Sequence, residues 1–426
     1  MVRQLQNVTT EETILVRGAR QLVTLRDLSG PRRGAEMQDL GVISDGAVLI
    51  RGGKIIEAGP TRRVENVIGA RRAREINATG HVITPGLVDA HAHLIFPHPP
   101  LNAYEAAIRN PGAPGDGDSE FWRGVQEIRA APARRLEQRG QTAVSGLARH
   151  GTTTVGAKSG YGLDRSGELK MLRVLARLDG KPLRVISTYY GARLAPPEHQ
   201  GNPAAYLDWI AAKVMPGIAR RKLARFVEVN CGADGFPVEM AQSYLEHARR
   251  LGFGLSVHAG DSAPAVRLAV AMEASGVTLD GIDEEVLTAL ARSSTMAVVA
   301  PASAFEKRTG PTPLARVLID GGAAVALASG FGSGEHRTYN MQMVMALACS
   351  EMGMSPAEAF CAATINGAHA LRLGDQVGSL VPGKRADLVL FNVEDYREIL
   401  YHFGINHVHI VLKDGVAIYP EGGHAH

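Results

Sequence analysis

Between Gly86 and Gly330 the chain repeats one local rhythm, a short apolar run followed by a turn and then a longer segment of helical period. The runs are GLVDAHAHLIF, TTTVGAKS, LRVISTYYGA, RFVEVNC, GLSVHAG, GVTLDGI, MAVVAPAS and AAVALASG. Their length and β-branched content read as strands, and the segments Gly167 to Leu178, Pro237 to Leu251 and Asp283 to Ala291 read as amphipathic helices between them. Strands that alternate with helices pair in parallel, because each crossover helix must pack back on the sheet. Eight such units predict an α/β fold of the (β/α)8 TIM barrel class. Two more helical stretches, Met341 to Met352 and Pro356 to Leu371, are expected to cover the last side of the barrel.

The two ends of the chain follow a different period. TILVRGARQLVTL and AVLIRGGKIIEAG read as strands with a hairpin turn at RGGK, and ADLVLFNV and HVHIVLKDGVAIYP repeat the pattern near the C-terminus. The expectation is a small composite β-sandwich domain built from residues 1–80 plus 375–426, flanking a barrel over 81–374. A length of 426 residues suits such a division. The stretch from Phe96 to Pro132, rich in Pro and Gly, is expected as loops that line a pocket.

A net charge of +3, with basic residues scattered rather than striped, gives no basis for binding nucleic acid or a membrane surface. Cys231, Cys349 and Cys361 are odd in number and widely spaced, which fits a reducing, cytoplasmic setting rather than a disulfide framework. No signal-peptide h-region and no run of membrane-spanning length is read in the sequence.

Chemistry concentrates in Pro85-Gly86-Leu87-Val88-Asp89-Ala90-His91-Ala92-His93. Residues two apart on a strand share a face, so His91 and His93 can reach one ion at the C-terminal end of the first barrel strand, the catalytic end of such barrels. His258 ends the fifth strand and projects toward the same mouth. Three imidazoles with a fourth position open form a recognised catalytic zinc arrangement, so one divalent ion per chain is expected, most simply zinc.

The PGLVDAHAH segment resembles the amidohydrolase superfamily. Lys158-Ser159-Gly160-Tyr161-Gly162-Leu163-Asp164 with GELKMLRVL, together with MQDLGVISDGAVLI, LIDGGAAVALA, FCAATINGAHAL and GSLVPGKRADLVLFNVEDYREILYHFGIN, is similar to the imidazolonepropionases across nearly the whole chain. The resemblance implies hydrolytic opening of the imidazolone ring of histidine breakdown with one metal ion, for which iron or manganese are alternatives to zinc. His91, His93 and His258 then fall on the metal histidines, Tyr161 and Lys158 on the substrate side, and a homodimer is implied.

Departures from that family gather at the barrel mouth. Its strand eight ends in a metal-binding aspartate that also moves a proton, whereas here the segment is Ala328-Ser329-Gly330-Phe331-Gly332-Ser333-Gly334, with Gly330 at the aspartate position. A substrate-contacting glutamate after the strand-five histidine becomes Asp261, the strand-six histidine gives way to Leu279-Asp280, a histidine after strand three becomes Arg193, and the loop arginine within Pro97 to Leu101 is lost. Asp280, Asp261 and His336 are the candidates for proton transfer, Asp280 first, with Glu335 beside His336. Arg193 offers a permanent fork for a carboxylate tail. Cys231 is a candidate soft ligand or an inert buried thiol. The expected function is metal-dependent hydrolysis of a five-membered imidazolone-type ring with a propionate side chain, in histidine or ergothioneine catabolism. The specific expectation is the 2-thioxo analogue, losing sulfide. The alternatives are the ordinary imidazolonepropionase reaction and a retired barrel that only binds.

Overall fold

A computed structural model describes residues 12–26, 30–109, 117–199, 201–307, 311–334 and 336–420. The N-terminal segment supplies strands β1 (Thr13–Val23), β2 (Val42–Arg51), β3 (Lys54–Pro60), β4 (Arg74–Asn77) and β5 (Val82–Pro85). Eight parallel strands follow, β6 (Leu87–Ala92), β7 (Thr152–Lys158), β8 (Arg184–Ala192), β9 (Phe226–Asn230), β10 (Gly254–Gly260), β11 (Gly276–Leu279), β12 (Met296–Val299) and β13 (Val325–Leu327). The chain then returns to the first sheet with β14 (Leu388–Phe391), β15 (Val408–Lys413) and β16 (Val416–Tyr419). Each of the eight parallel strands matches one of the apolar runs in the sequence. The near-continuous burial of β6, β7 and β9 is what strands covered on both faces require.

The terminal strands form one sheet in the order β16-β15-β14-β5-β1-β2-β3, with β4 beside β1. The hairpin of β2 and β3 meets the β15–β16 turn, where Gly53 packs against Asp414 and Gly415 against Ile50. The two chain ends thus build the expected composite β-domain, its strands joined in one sheet around Ile14, Val48, Ile50, Leu388, Leu390 and Leu412. β5 belongs to this sheet, pairing with β1 and β14, so the sheet runs on to Pro85 before the barrel begins.

Helices cover the barrel. Asp164 caps Arg165–Leu178 by accepting from Gly167, Asn340 caps Met341–Met352, and Ser355 with Glu358 forms a capping box for Pro356–Ala362. The expected single helix from Pro356 to Leu371 is broken, because Thr364 leaves helical geometry and its hydroxyl bonds back to the Phe360 carbonyl, before a second helix at Ile365–Ala370. The Phe96 to Pro132 stretch, expected as loops, holds helices Leu101–Arg109 and Gly117–Ala130. No helix among the described residues is long and apolar enough to cross a membrane.

Barrel closure is unusual at one seam. β13 and β6 are the two ends of the strand order, and among the described residues no ladder joins them. Two backbone bonds at the end of β6 and past the end of β13 do so instead, Gly330 N–H to the His91 carbonyl at 2.9 Å and His93 N–H to the Phe331 carbonyl at 2.6 Å. The Asp89 carboxylate adds side-chain closure, accepting from the Ser329 N–H and hydroxyl and from the His91 N–H.

Candidate active site

His91 and His93 stand at the C-terminal end of β6 with ring centroids 5.4 Å apart. His258 lies at the matching end of β10, in register with Thr278 of β11. His91 Nε2, His93 Nδ1 and His258 Nδ1 are enclosed and have no hydrogen-bond partner. Burial of the rings pulls all three histidines below their ordinary pKa, with Lys158 adding to the effect at His91 and Arg193 at His93. Neutral imidazoles with enclosed, unpartnered nitrogens are the donor type and protonation state that a divalent ion of the zinc kind requires. Among the described residues no three His, Cys, Asp or Glu side chains already converge on one point, so joint ligation needs rotation of the rings.

Beneath these histidines the barrel interior is polar. Lys158, at the end of β7, donates to the Glu228 carboxylate of β9, and both side chains are buried, at 5% and 0% exposure. A cavity of about 20 Å³ lies between them and His91, with Thr188, Ser256 and Thr278 on its walls. Lys158, expected on the substrate side, lines the same cavity as His91 and is paired there with Glu228, because a buried cation must be paired and the β7–β8–β9 order brings this carboxylate within reach.

The Tyr161 loop is set by an acceptor that spacing alone does not reveal. Glu168, buried in the first turn of its helix, accepts from Gly160, Gly162 and Leu163 N–H at 2.9 to 3.1 Å. Tyr161 is thereby held with its ring edge-on to His93 at 5.7 Å and its hydroxyl donating to the Gly332 carbonyl at 3.0 Å. Arg193 lies between two rings, its guanidinium carbon 4.6 Å from the Tyr161 centroid and 4.7 Å from that of Phe121. One of its nitrogens donates to the Ser333 carbonyl at 2.9 Å, while Nη1 is enclosed and has no partner. Phe121 comes from the Gly117–Ala130 helix, and no spacing signal in the sequence singles it out.

Asp261 and Asp280 are exposed at the rim. Asp280 follows β11, its N–H bonded to the Gly260 carbonyl, and its carboxylate favours the protonated form of His258. His336 is brought over the end of β13, against Gly330. Glu335 lies outside the described residues. Cys231 is buried, and burial pushes its thiol up to about 12, so it is a neutral thiol in the protein as it stands.

Residues 82–418 match the amidohydrolase family. The chain is 37% identical to the imidazolonepropionase of Geobacillus kaustophilus over 420 residues, which is 96% of this chain and 98% of that protein. Identity to the imidazolonepropionase of Symbiobacterium thermophilum is 38% over 422 residues, again 96% and 98% of the two chains. In three dimensions the fold is shared with an adenosine deaminase from Xanthomonas campestris solved with bound zinc, at a TM-score of 0.67 and 18% identity, covering 95% of this chain and 92% of that one. A fold that places histidines from β6 and β10 at one mouth thus coincides with near-full-length sequence similarity, and the chain belongs to the amidohydrolase family as an imidazolonepropionase-like hydrolase.

Proposed function

We propose that the protein hydrolyses a five-membered imidazolone-type ring carrying a propionate side chain, and that its own substrate is the 2-thioxo analogue, which loses sulfide. The observation that carries the ring-and-propionate reading is Arg193. Its guanidinium is clamped between Phe121 and Tyr161, one nitrogen is committed to Ser333, and another is enclosed and unpaired beside the histidines. A fixed planar fork with a spare donor suits a carboxylate.

His91, His93 and His258 would hold a divalent ion, which supplies Lewis-acid activation at the mouth when bound. Arg193 anchors the propionate and so fixes how far the ring reaches toward the histidines. Tyr161 forms one wall, its hydroxyl fastened to Gly332 so that the ring stays upright. Asp280, at the rim beside His258, takes the proton from the attacking water and returns it to the leaving group. For the thioxo ring, water adds at the thiocarbonyl carbon, the carbon–sulfur bond breaks, oxygen remains as the carbonyl, and sulfur leaves as hydrogen sulfide with no change of oxidation state.

Gly330 supports the thioxo reading, since a site without a carboxylate at that position presents mainly neutral imidazoles, which tolerate sulfur. Sulfide also leaves more readily than an amine, so less proton transfer is needed. The near-full-length similarity to imidazolonepropionases supports a second reading, the ordinary ring-opening reaction. Metal-replete protein incubated with each propionate, assayed for ring absorbance and for sulfide, tests both. Sulfide from the thioxo compound supports the first reading, ring opening of the imidazolone alone supports the second, and turnover of neither refutes this substrate class.

A further inference from the structure

The loop after β13 folds back on itself. Ser333 N–H bonds to the Gly330 carbonyl and Gly332 N–H to the His336 carbonyl, both at 3.2 Å. Gly330 has φ +64 and Gly332 φ +76, and a Cβ at 332 would strike the His93 carbonyl at 2.3 Å, so the turn depends on glycine there. Tyr161 and Arg193 fasten the same turn through the Gly332 and Ser333 carbonyls. The result is specific. A Cβ at position 330 would lie 2.7 Å from His336 Cδ2 and 2.8 Å from its Cγ, so the imidazole occupies the space a side chain at the end of strand eight would fill. Gly330 itself is bonded to His91, and a charge on His336 would act on both His91 and His93.

We propose that His336 replaces a strand-eight ligand and is the fourth protein donor of the metal centre, making it an all-imidazole site. This rests on the metal reading above and sharpens it. Four neutral donors leave the full charge of a divalent ion uncompensated at the mouth. Arg193 stands close by, so the centre favours anionic and soft groups over hard, neutral ones.

The test is metal affinity and coordination, measured without substrate. Zinc affinity by chelator competition and the visible spectrum of the cobalt-substituted protein are compared for wild type, His91→Ala, His336→Ala and the pair His336→Ala with Gly330→Asp. Should the alanine variant fail to fold by circular dichroism, His336→Gln takes its place. Loss of a ligand is expected to weaken zinc binding by about a hundredfold or more and to change the cobalt spectrum, beyond the roughly 10–100-fold cost of losing a supporting group. In the paired variant, Gly330→Asp puts a carboxylate into the space vacated by the ring, on a left-handed backbone that aspartate tolerates, and should restore binding at least tenfold. If wild type binds one ion, His91→Ala loses it, and His336→Ala stays within tenfold with an unchanged spectrum, His336 is not a ligand although the centre stands. If wild type binds no ion, or His91→Ala binds as well as wild type, the metal reading itself falls.

Discussion

Glu228→Gln isolates the buried Lys158 ammonium and offers the most quantitative test of the barrel interior. Both partners are out of solvent, so screening by water is slight. Two unit charges near contact at an effective dielectric of 20 attract by about 4 kcal/mol, and removing one partner of a buried pair costs about 3–5 kcal/mol. The lysine has an escape, which is to lose its proton. Burial already lowers its pKa from 10.5, and Glu228 is the main influence opposing that. Folding with a neutral lysine at pH 7 costs the free energy of deprotonating a group of ordinary pKa 10.5, which is ~5 kcal/mol and sets the ceiling. Glu228→Gln should therefore destabilise by about 3–5 kcal/mol at pH 7. The unfolded variant then binds one proton more than the folded one, so stability should climb by ~1.4 kcal/mol per pH unit from pH 7 toward 10 relative to wild type. Adding Lys158→Met should recover most of the loss, because no charge is left to strand. Equilibrium urea denaturation followed by circular dichroism and fluorescence measures all three proteins, wild type, single and double variant. A Glu228→Gln loss below about 1 kcal/mol, a flat difference with pH, or a double variant as weak as the single one would refute the reasoning.

In chelator-treated protein, His91, His93 and His258 bind protons less readily folded than unfolded, so the stability they contribute is complete above about pH 6.5 and is lost as pH falls below it. Asp89, raised to about 6 by burial, acts in the opposite sense between its unfolded value near 3.8 and about 6. With three groups against one, the urea midpoint should drop between pH 7.5 and 5.5, and an unchanged midpoint would contradict this. At Arg193, substitution by Met should raise KM roughly 10–100-fold, the worth of a charge-assisted hydrogen bond, with a smaller effect on kcat. Arg193→Lys should fall between, because it keeps the charge and loses the fork, and a KM unchanged in both variants would remove Arg193 as the carboxylate anchor.

Periodicity made the barrel legible, since burial on both faces leaves several strands as uninterrupted apolar runs, as in β12 and β13. Short strands with mixed patterns were not legible. β4 and β5 are 4 residues each, and they are ordered by pairing with β1 rather than by their own propensity. The same contrast holds in the site. His91 and His93 announce themselves by spacing on one strand, while the groups that hold the site in shape act across the fold. Glu228 is separated from Lys158 by 70 positions and Ser329 from Asp89 by 240, so local pattern carries no trace of either pair. Phe121 was hidden inside a stretch that reads as Pro- and Gly-rich loop, although it lies in a helix.

The seam between β6 and β13 has a consequence for how this site could change over generations. Elsewhere around the barrel each strand is paired with its neighbour in a parallel ladder, in places with a shift of register, so altering the backbone there disturbs pairing on both sides. At the seam the two strands are joined by two backbone bonds and the Asp89 carboxylate, none of which uses the side chains at positions 330 or 336. A side chain at 330 would meet the His336 ring, so a change at one position calls for a change at the other, while neither side chain takes part in the closing bonds. The barrel thus carries the loop over its candidate site on a closure made by backbone groups and Asp89, not by the side chains that the loop presents.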